Sequence, residues 1–294
     1  MKELAYLNGV FGPISDAKVS IEDRGFQFGD SLYEVIAIYS AKPFLLTQHI
    51  ERMRIGAQAI GLAYDFDKKP LDPIILEGLA LSGLQDAYVY IQITRGTAPR
   101  AHHIPEGLSP TVVMTFKPLP LVPSDRRQRG LRMITLRDDR WANCYIKATT
   151  LLPNVLAKSE ALRRGYDDAI FVASDGEVRE CTSANIYTVN DGHVNFPPRT
   201  NSVLHGITQG FLMLCAKDAG IGINEARIDA ASLHTCDEVF MSNTMVEVLG
   251  VTTIDDQPIG QGHPGPVTKK LYDAFCSRAR STATTEPSIT APWQ

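Results

Sequence analysis

The chain has 294 residues with 44% hydrophobic content, enough for about two ordinary domains with filled cores. Its 29 Lys and Arg against 33 Asp and Glu give a formal charge of -4, which argues against a general electrostatic grip on nucleic acid or an anionic membrane. Five scattered cysteines, Cys144, Cys181, Cys215, Cys236 and Cys276, form no Cys-x-x-Cys pair and have no histidine at zinc spacing. They read as reduced thiols of a cytoplasmic protein without a metal site. The opening "MKELAYLNGVFGP" has no sustained apolar stretch, and nowhere do about 18 apolar residues run together, so neither secretion nor membrane spanning is expected.

In chain order, "SLYEVIAIYSAKPFLL" reads as strand, "TQHIERMRIGAQAIGL" as helix, and residues 71–83 as a second helix. Strands follow in "AYVYIQITRG" and "TVVMTFKPL". The stretch 117–130, "KPLPLVPSDRRQRG", reads as a connection, since its prolines and charges suit no core. This predicts a small N-terminal domain over 1–118, a linker over 119–129 and a larger domain over 130–294. The second half resumes with strands in "LRMITLR", "DDAIFVAS", "SANIYTVN", "EVFMSN" and "VEVLGVTTI". Helices are expected near 154–164, 207–219 and 266–280, followed by a Ser/Thr/Ala/Pro-rich tail that should fray. The fold class is α+β.

Alternation gives the first two strands distinct faces. Leu32, Glu34, Ile36 and Ile38 share one side of "SLYEVIAIY", while Tyr33, Val35, Ala37 and Tyr39 share the other. In "AYVYIQITR" the side opposite Val89, Ile91 and Ile93 carries Tyr88, Tyr90, Gln92 and Thr94. Tyrosines on both strands can line a half-polar space or simply a solvated face. Just after the second strand, "TRGTAPRAHHIPEG" gathers Arg95, Arg100, His102 and His103 in one loop stiffened by glycine and proline. With no general positive charge on the chain, this cluster reads as a local anion site. By contrast, "GQGHPG" at 260–265 matches a dinucleotide string only in letters, because Pro258, Pro264 and Pro266 make it a turn and no βαβ unit follows.

Several separated pieces, "IKATTLLPNVLAKSEA", "GYDDAI", "VRECTSANIY", "HGITQG" and "FMSNTMVEV", resemble, in order, the fold type IV family of pyridoxal-phosphate enzymes. That family includes D-amino acid and branched-chain aminotransferases and aminodeoxychorismate lyase. The resemblance implies a two-domain fold with a β-barrel-like core in the larger domain, pyridoxal 5'-phosphate as cofactor and a homodimer. It assigns Lys147 the Schiff base and the proton at the substrate's α-carbon. It assigns Glu180 the cofactor's ring nitrogen, where a negative charge keeps the proton on. Ile207 and Thr208 at a helix start, Asn243 with Thr244, and Arg52 would hold the phosphate.

"PRAHHIPEG" and "EDRGFQFGDSLYEV" resemble the D-amino acid aminotransferases in particular. That likeness implies that Arg100 and His102 reach into the neighbouring subunit and, with Tyr33, hold the substrate carboxylate so that only one hand presents its α-carbon to Lys147. Val35, Tyr90 and Thr244 would wall the side-chain pocket, and His103 would face outward. Expected substrates are D-alanine-like amino acids and 2-oxo acids such as 2-oxoglutarate. Leu151 and Leu152 stand where branched-chain enzymes usually have asparagine and tyrosine. "Ala-Thr-Thr" after Lys147 and "Cys-Thr-Ser-Ala-Asn" after Glu180 depart from the D-amino acid pattern and bear on substrate range. Alternatives are a branched-chain L-amino acid or (R)-amine transaminase, an aminodeoxychorismate lyase, or a catalytically silent pyridoxal-phosphate-binding protein.

Overall fold

The computed structural model describes residues 3–281, so the tail expected to fray lies outside the described residues. The chain divides into two units, one of residues 1–120 with 146–150 and one of residues 121–145 with 151–294. The five residues Ile146–Thr150, expected with the second half, thus belong with the first.

In the first unit, strands β1 (Leu4–Leu7) and β2 (Val10–Gly12) precede a short helix α1 (Arg24–Phe28) and the long strand β3 (Ser31–Tyr39). Then come β4 (Lys42–Pro43), α2 (Leu46–Ala59), α3 (Asp72–Ser82), β5 (Ala87–Thr94) and β6 (Thr111–Pro118). The six strands form one sheet in the order β2-β1-β6-β5-β3-β4, antiparallel throughout. The strand signals over residues 31–46 resolve into two strands joined by a tight turn. Ser40 and Ala41 both take positive φ, 50° and 60°, as a two-residue hairpin demands. Neither is the glycine or asparagine that usually announces such a turn, which hides it from sequence reading. Ile36, Ile38, Val89, Ile91 and Phe116 fill the sheet's buried side, and Leu71, Ile75 and Leu79 add the α3 contribution. α3 lies so close that a Cβ on Gly78 would stand 2.1 Å from the Phe116 ring tip.

The second unit opens with a short helix α4 (Ser124–Arg129) inside the stretch read as linker. Arg127 anchors it by donating to the Val248 carbonyl at 2.9 Å and to Glu247 Oε2 at 2.9 Å, with its guanidinium 4.1 Å from the Tyr272 ring centre. There follow β7 (Leu131–Arg137), α5 (Leu152–Arg163), β8 (Asp168–Val172), β9 (Val178–Cys181), β10 (Asn185–Asn190), β11 (His193–Phe196) and α6 (Ile207–Asp218). The unit ends with β12 (Ile223–Glu225), β13 (Glu238–Asn243), β14 (Glu247–Ile254), β15 (Gln257–Pro258) and α7 (Pro266–Ser281). Its sheet runs β12-β11-β10-β13-β14-β7-β8-β9, with β15 beside β14. β9 ends the sheet, yet the chain passes from it directly into β10, five places away, through a turn in which Cys181 N donates to the Ala184 carbonyl at 2.8 Å. Such a short connection requires the sheet to curl, as the barrel-like expectation has it. Leu131, Met133, Ile170, Ile186, Val239, Met241, Leu249 and Val251 form its core.

Candidate active site

The first unit presents Lys147 on a strand edge. β4 pairs only with Ile38 and Tyr39 at the far end of β3. The near end takes residues 147–149 as an antiparallel bridge: Tyr33 N donates to the Lys147 carbonyl at 3.0 Å and Thr149 N to the Ser31 carbonyl at 3.2 Å. Lys147 and Thr149 therefore share a face with Ser31 and Tyr33. Through the register of β3 with β5, Val35, Tyr90 and Gln92 lie on that face as well. The Lys147 amine lies 4.3 Å from the centre of the Tyr33 ring, which stacks on Tyr90 with ring centres 5.7 Å apart. Burial, with Tyr33 adding, pushes the Tyr90 phenol up to about 12, so it stays a donor.

The opposite face of β3 carries Glu34, 1% exposed among Leu32, Ile36 and Ile38. α2 supplies its partners. Arg52 donates from Nε to Oε1 at 2.6 Å and from Nη2 to Oε2 at 2.8 Å, and His49 Nδ1 lies 2.7 Å from Oε2. Burial opposes the Glu34 charge, but Arg52 and His49 outweigh it and hold the carboxyl well below its usual range. His49 is held below its ordinary value chiefly by burial, with Arg52 and Lys147 adding to this against the pull of Glu34. The neutral imidazole then donates from Nδ1.

The loop after β5 separates its four cationic candidates. Arg95 is buried and satisfied: its Nε donates to Asp30, and its two terminal nitrogens donate to the Gly61 and Ile60 carbonyls at 2.7 and 2.8 Å. It staples the loop's base instead of waiting for an anion, which corrects the four-member cluster. Arg100 and His102 are exposed and meet at Phe28, with the guanidinium 4.7 Å from the ring centre and the imidazole edge-on at 5.8 Å. Arg24 fixes the loop from beneath by donating to the Ala101 carbonyl at 2.7 Å and the His103 carbonyl at 3.3 Å. The His103 residue is exposed, as expected.

In the second unit Glu180 is 6% exposed, and its carboxylate is held on both oxygens. Arg140 Nη1 donates to Oε1, and Oε2 accepts from Leu204 N at 3.1 Å and Asn185 Nδ2 at 3.4 Å. Arg140 is itself gripped by Asp138 through Nε and Nη2, both at 2.9 Å, and lies 4.4 Å from the Phe171 ring centre. Glu180 is thus a fixed, charge-compensated acceptor. α6 has Gly206 at its N-cap, so no N-cap side chain takes up its first-turn N–H groups. A Cβ at Gly206 would sit 2.1 Å from Asn185 Oδ1. Ile207 and Thr208, in that first turn, are buried. Asn243 closes its own turn: Oδ1 accepts from Met245 N at 2.8 Å and Val246 N at 2.9 Å, and Nδ2 donates to the Ser183 carbonyl at 3.0 Å. Its side chain shapes the loop that presents the half-exposed Thr244.

Residues 31–254 match the family described as amino-transferase class IV. The chain belongs to that family. It is 38% identical over 268 residues to a D-alanine aminotransferase of Bacillus licheniformis, covering 91% of this chain and 94% of that protein. A D-alanine aminotransferase of Staphylococcus haemolyticus is likewise 38% identical, with 92% and 95% covered. Among solved structures, a branched-chain amino acid aminotransferase of Escherichia coli superposes with a TM-score of 0.88 at 26% identity, covering 98% of each chain. A branched-chain aminotransferase of the archaeon Thermoproteus uzoniensis, solved with norvaline, gives 0.83 at 26% identity, covering 99% of this chain and 97% of that one. The fold is therefore that of the fold type IV aminotransferases.

Sequence reading of this aminotransferase singled out Lys147, Tyr33 and Tyr90, which the structure brings together, and Arg100 with His102, which meet at Phe28. It did not find Glu34, His49, Arg140 or Thr149. Glu34 had a signal, a carboxylate on an aliphatic face, which requires a buried cation nearby. Arg140 had none, because "RDDRW" reads as any charged turn. Each unit offers chemistry that suits pyridoxal phosphate: the first an amine beside the edge of β3, the second a fixed carboxylate and a helix start whose N–H groups suit a phosphate.

Proposed function

We propose that this aminotransferase moves the amino group of a D-amino acid, D-alanine or one like it, to a 2-oxo acid such as 2-oxoglutarate, as a cytoplasmic homodimer using pyridoxal 5'-phosphate. The observation that carries the reading is the Lys147 amine, held by a strand-locked backbone against the Tyr33 ring. The cofactor supplies an aldehyde that bonds to amines and a ring that draws electrons from the substrate's α-carbon. Lys147 would hold that aldehyde and would take the α-proton on Nζ. Glu180, fixed by Arg140, would face the ring nitrogen and favour a proton there.

Ile207 and Thr208 at the start of α6, the Asn243–Thr244 turn and Arg52 hold the phosphate in this reading. Arg52 keeps Nε and Nη2 on Glu34, which sets the plane of its fork. Arg100 and His102 bind the substrate carboxylate in the partner's site, together with Tyr33. Val35, Tyr90 and Thr244 line the side-chain pocket. The D-alanine aminotransferases that match over nine tenths of the chain support the choice of hand. The absence, among the described residues, of a helix long and apolar enough to cross a membrane fits this reading.

The test is the visible spectrum of the purified protein when D-alanine or L-leucine is added without a 2-oxo acid. Loss of the cofactor band with D-alanine alone supports the reading. Loss with L-leucine alone moves the enzyme to the branched-chain substrates of its structural neighbours and removes Arg100 and His102 from their role. Lys147→Ala should abolish the covalent linkage, and a variant that retains it would remove Lys147 from the mechanism.

A further inference from the structure

The face that carries Lys147 also carries an unbroken line of hydrogen bonds. Tyr90 Oη donates to Gln92 Oε1 at 2.9 Å, and Gln92 Nε2 donates to Ser31 Oγ at 3.0 Å. Ser31 Oγ and Thr149 Oγ1 are 2.5 Å apart, and Thr149 Oγ1 donates to the Gly29 carbonyl at 3.2 Å. The two ends fix every direction in between. Thr149 gives its one hydroxyl proton to Gly29, so between the two hydroxyls Ser31 donates and Thr149 accepts. Each hydroxyl thus has a single arrangement, and the chain is ordered from the Tyr90 phenol to the backbone two residues beyond Lys147.

We propose that Thr149 is a positioning residue for Lys147, and that the Tyr90–Gln92–Ser31–Thr149 chain ties the tyrosine wall to the segment bearing the amine. This rests on the assignment of Lys147 as the cofactor lysine. Backbone bonds at Tyr33 and Ser31 fix the bridge in the plane of the sheet. The Thr149 hydroxyl adds a second hold through its bonds to Ser31 and to the Gly29 carbonyl, on the face that carries the amine. Tyr90 stacks on the same Tyr33 ring that the amine lies against. The chain therefore fixes both the amine's backbone and the aromatic surface beside it, relative to one strand. A departure of about an ångström at a reacting atom is enough to slow a step by orders of magnitude.

The experiment uses the full chain stripped of cofactor, with Thr149→Val, Thr149→Ser, Ser31→Ala and Lys147→Ala beside the wild type. It follows by absorbance the rate at which the amine attacks the aldehyde carbon of pyridoxal phosphate and water is lost. Phosphate-free pyridoxal is run in parallel, since it bypasses the phosphate contacts. Thr149→Val should slow linkage by about tenfold with both aldehydes, and Thr149→Ser should return it to within about twofold. In the loaded enzyme, Thr149→Val should lower kcat with KM for D-alanine changed by less than about twofold.

Wild-type linkage rates in Thr149→Val, or a Thr149→Ser variant as slow as Thr149→Val, would overturn the proposal. So would a slowing confined to pyridoxal phosphate, which would place the defect at the phosphate. If Thr149→Val does not fold, Ser31→Ala makes the same cut while leaving the Thr149–Gly29 bond, and the same rates decide. Lys147→Ala separates the two levels. Linkage that persists in it refutes the lysine assignment itself, whereas linkage lost in it but normal in Thr149→Val refutes the positioning role alone.

Discussion

Replacing Glu34 by Gln tests the buried charge cluster of the first unit most directly. Glu34 is 1% exposed and Arg52 7%, and the substitution keeps the shape while removing the carboxylate that Arg52 and His49 meet there. Removing one partner of a buried ion pair typically costs about 3–5 kcal/mol, because the remaining charge stays desolvated. For chains of this general size, each kcal/mol moves the thermal midpoint by roughly 2–4 °C, so a fall on the order of 10 °C is expected in calorimetry of the cofactor-free protein. Glu34→Leu combined with Arg52→Met, which removes both charges, should cost less than Glu34→Gln alone. A Glu34→Gln protein within about 0.5 kcal/mol of wild type would refute the reasoning.

The same cluster fixes the sign of the acid response. Glu34 is held low when folded, so its contribution is complete above about pH 4.5 and is lost as the pH falls further. His49 is also held low, so the unfolded chain takes up its proton first as the pH drops below about 6.5, and stability declines there too. Both effects act in the same direction and make the first unit acid-labile in two stages.

Four further substitutions and one titration carry the remaining expectations. Unfolding midpoints between pH 8 and 3.5 should fall in those two stages, and His49→Gln should remove the upper one; a flat profile would count against a neutral buried His49. Arg140→Met deprives the buried Glu180 of its guanidinium, and cofactor affinity measured by equilibrium dialysis should weaken by about tenfold or more. Arg100→Ala should raise KM for D-alanine by about tenfold or more with a smaller change in kcat, the loss of a charge-assisted contact of about 1.5–3 kcal/mol; an unchanged KM removes it from carboxylate binding. Gly78→Ala drives a methyl group into the Phe116 ring and should destabilise by about 1–3 kcal/mol in urea unfolding, without touching the candidate site.

The residues proposed to carry the chemistry were legible because they come in ordered motifs: the lysine before "ATT", the glutamate of "VREC" and the arginine of "PRAHH". The alternation of β3 and β5 correctly put Tyr33 and Tyr90 on one face. What stayed hidden depends on contacts distant in sequence. Arg95 and Arg100 look alike as letters, and only Asp30 and two carbonyls at residues 60 and 61 show that one is a structural staple and the other is exposed. Asn243 looks like a phosphate ligand by motif, yet its side chain is bound up in the adjoining turn. The hairpin at Ser40–Ala41 escaped notice because positive φ there is imposed by the sheet and not by the residues.

The chain's double passage between units bears on how the enzyme comes to be made. Ser31 and Thr149 are 118 positions apart, and the first unit's hairpins are otherwise complete by Pro118. Local pairings close quickly, while contacts over such separations form late. A nascent chain that ends near Pro120 has β3 with its near edge open and lacks the segment that bears Lys147. The lysine is seated only after the chain has gone out through residues 121–145 and come back for five residues. A product truncated near Pro120 therefore carries Tyr33 and Tyr90 without Lys147, and the face proposed to load the cofactor is completed only in a chain that has made the return.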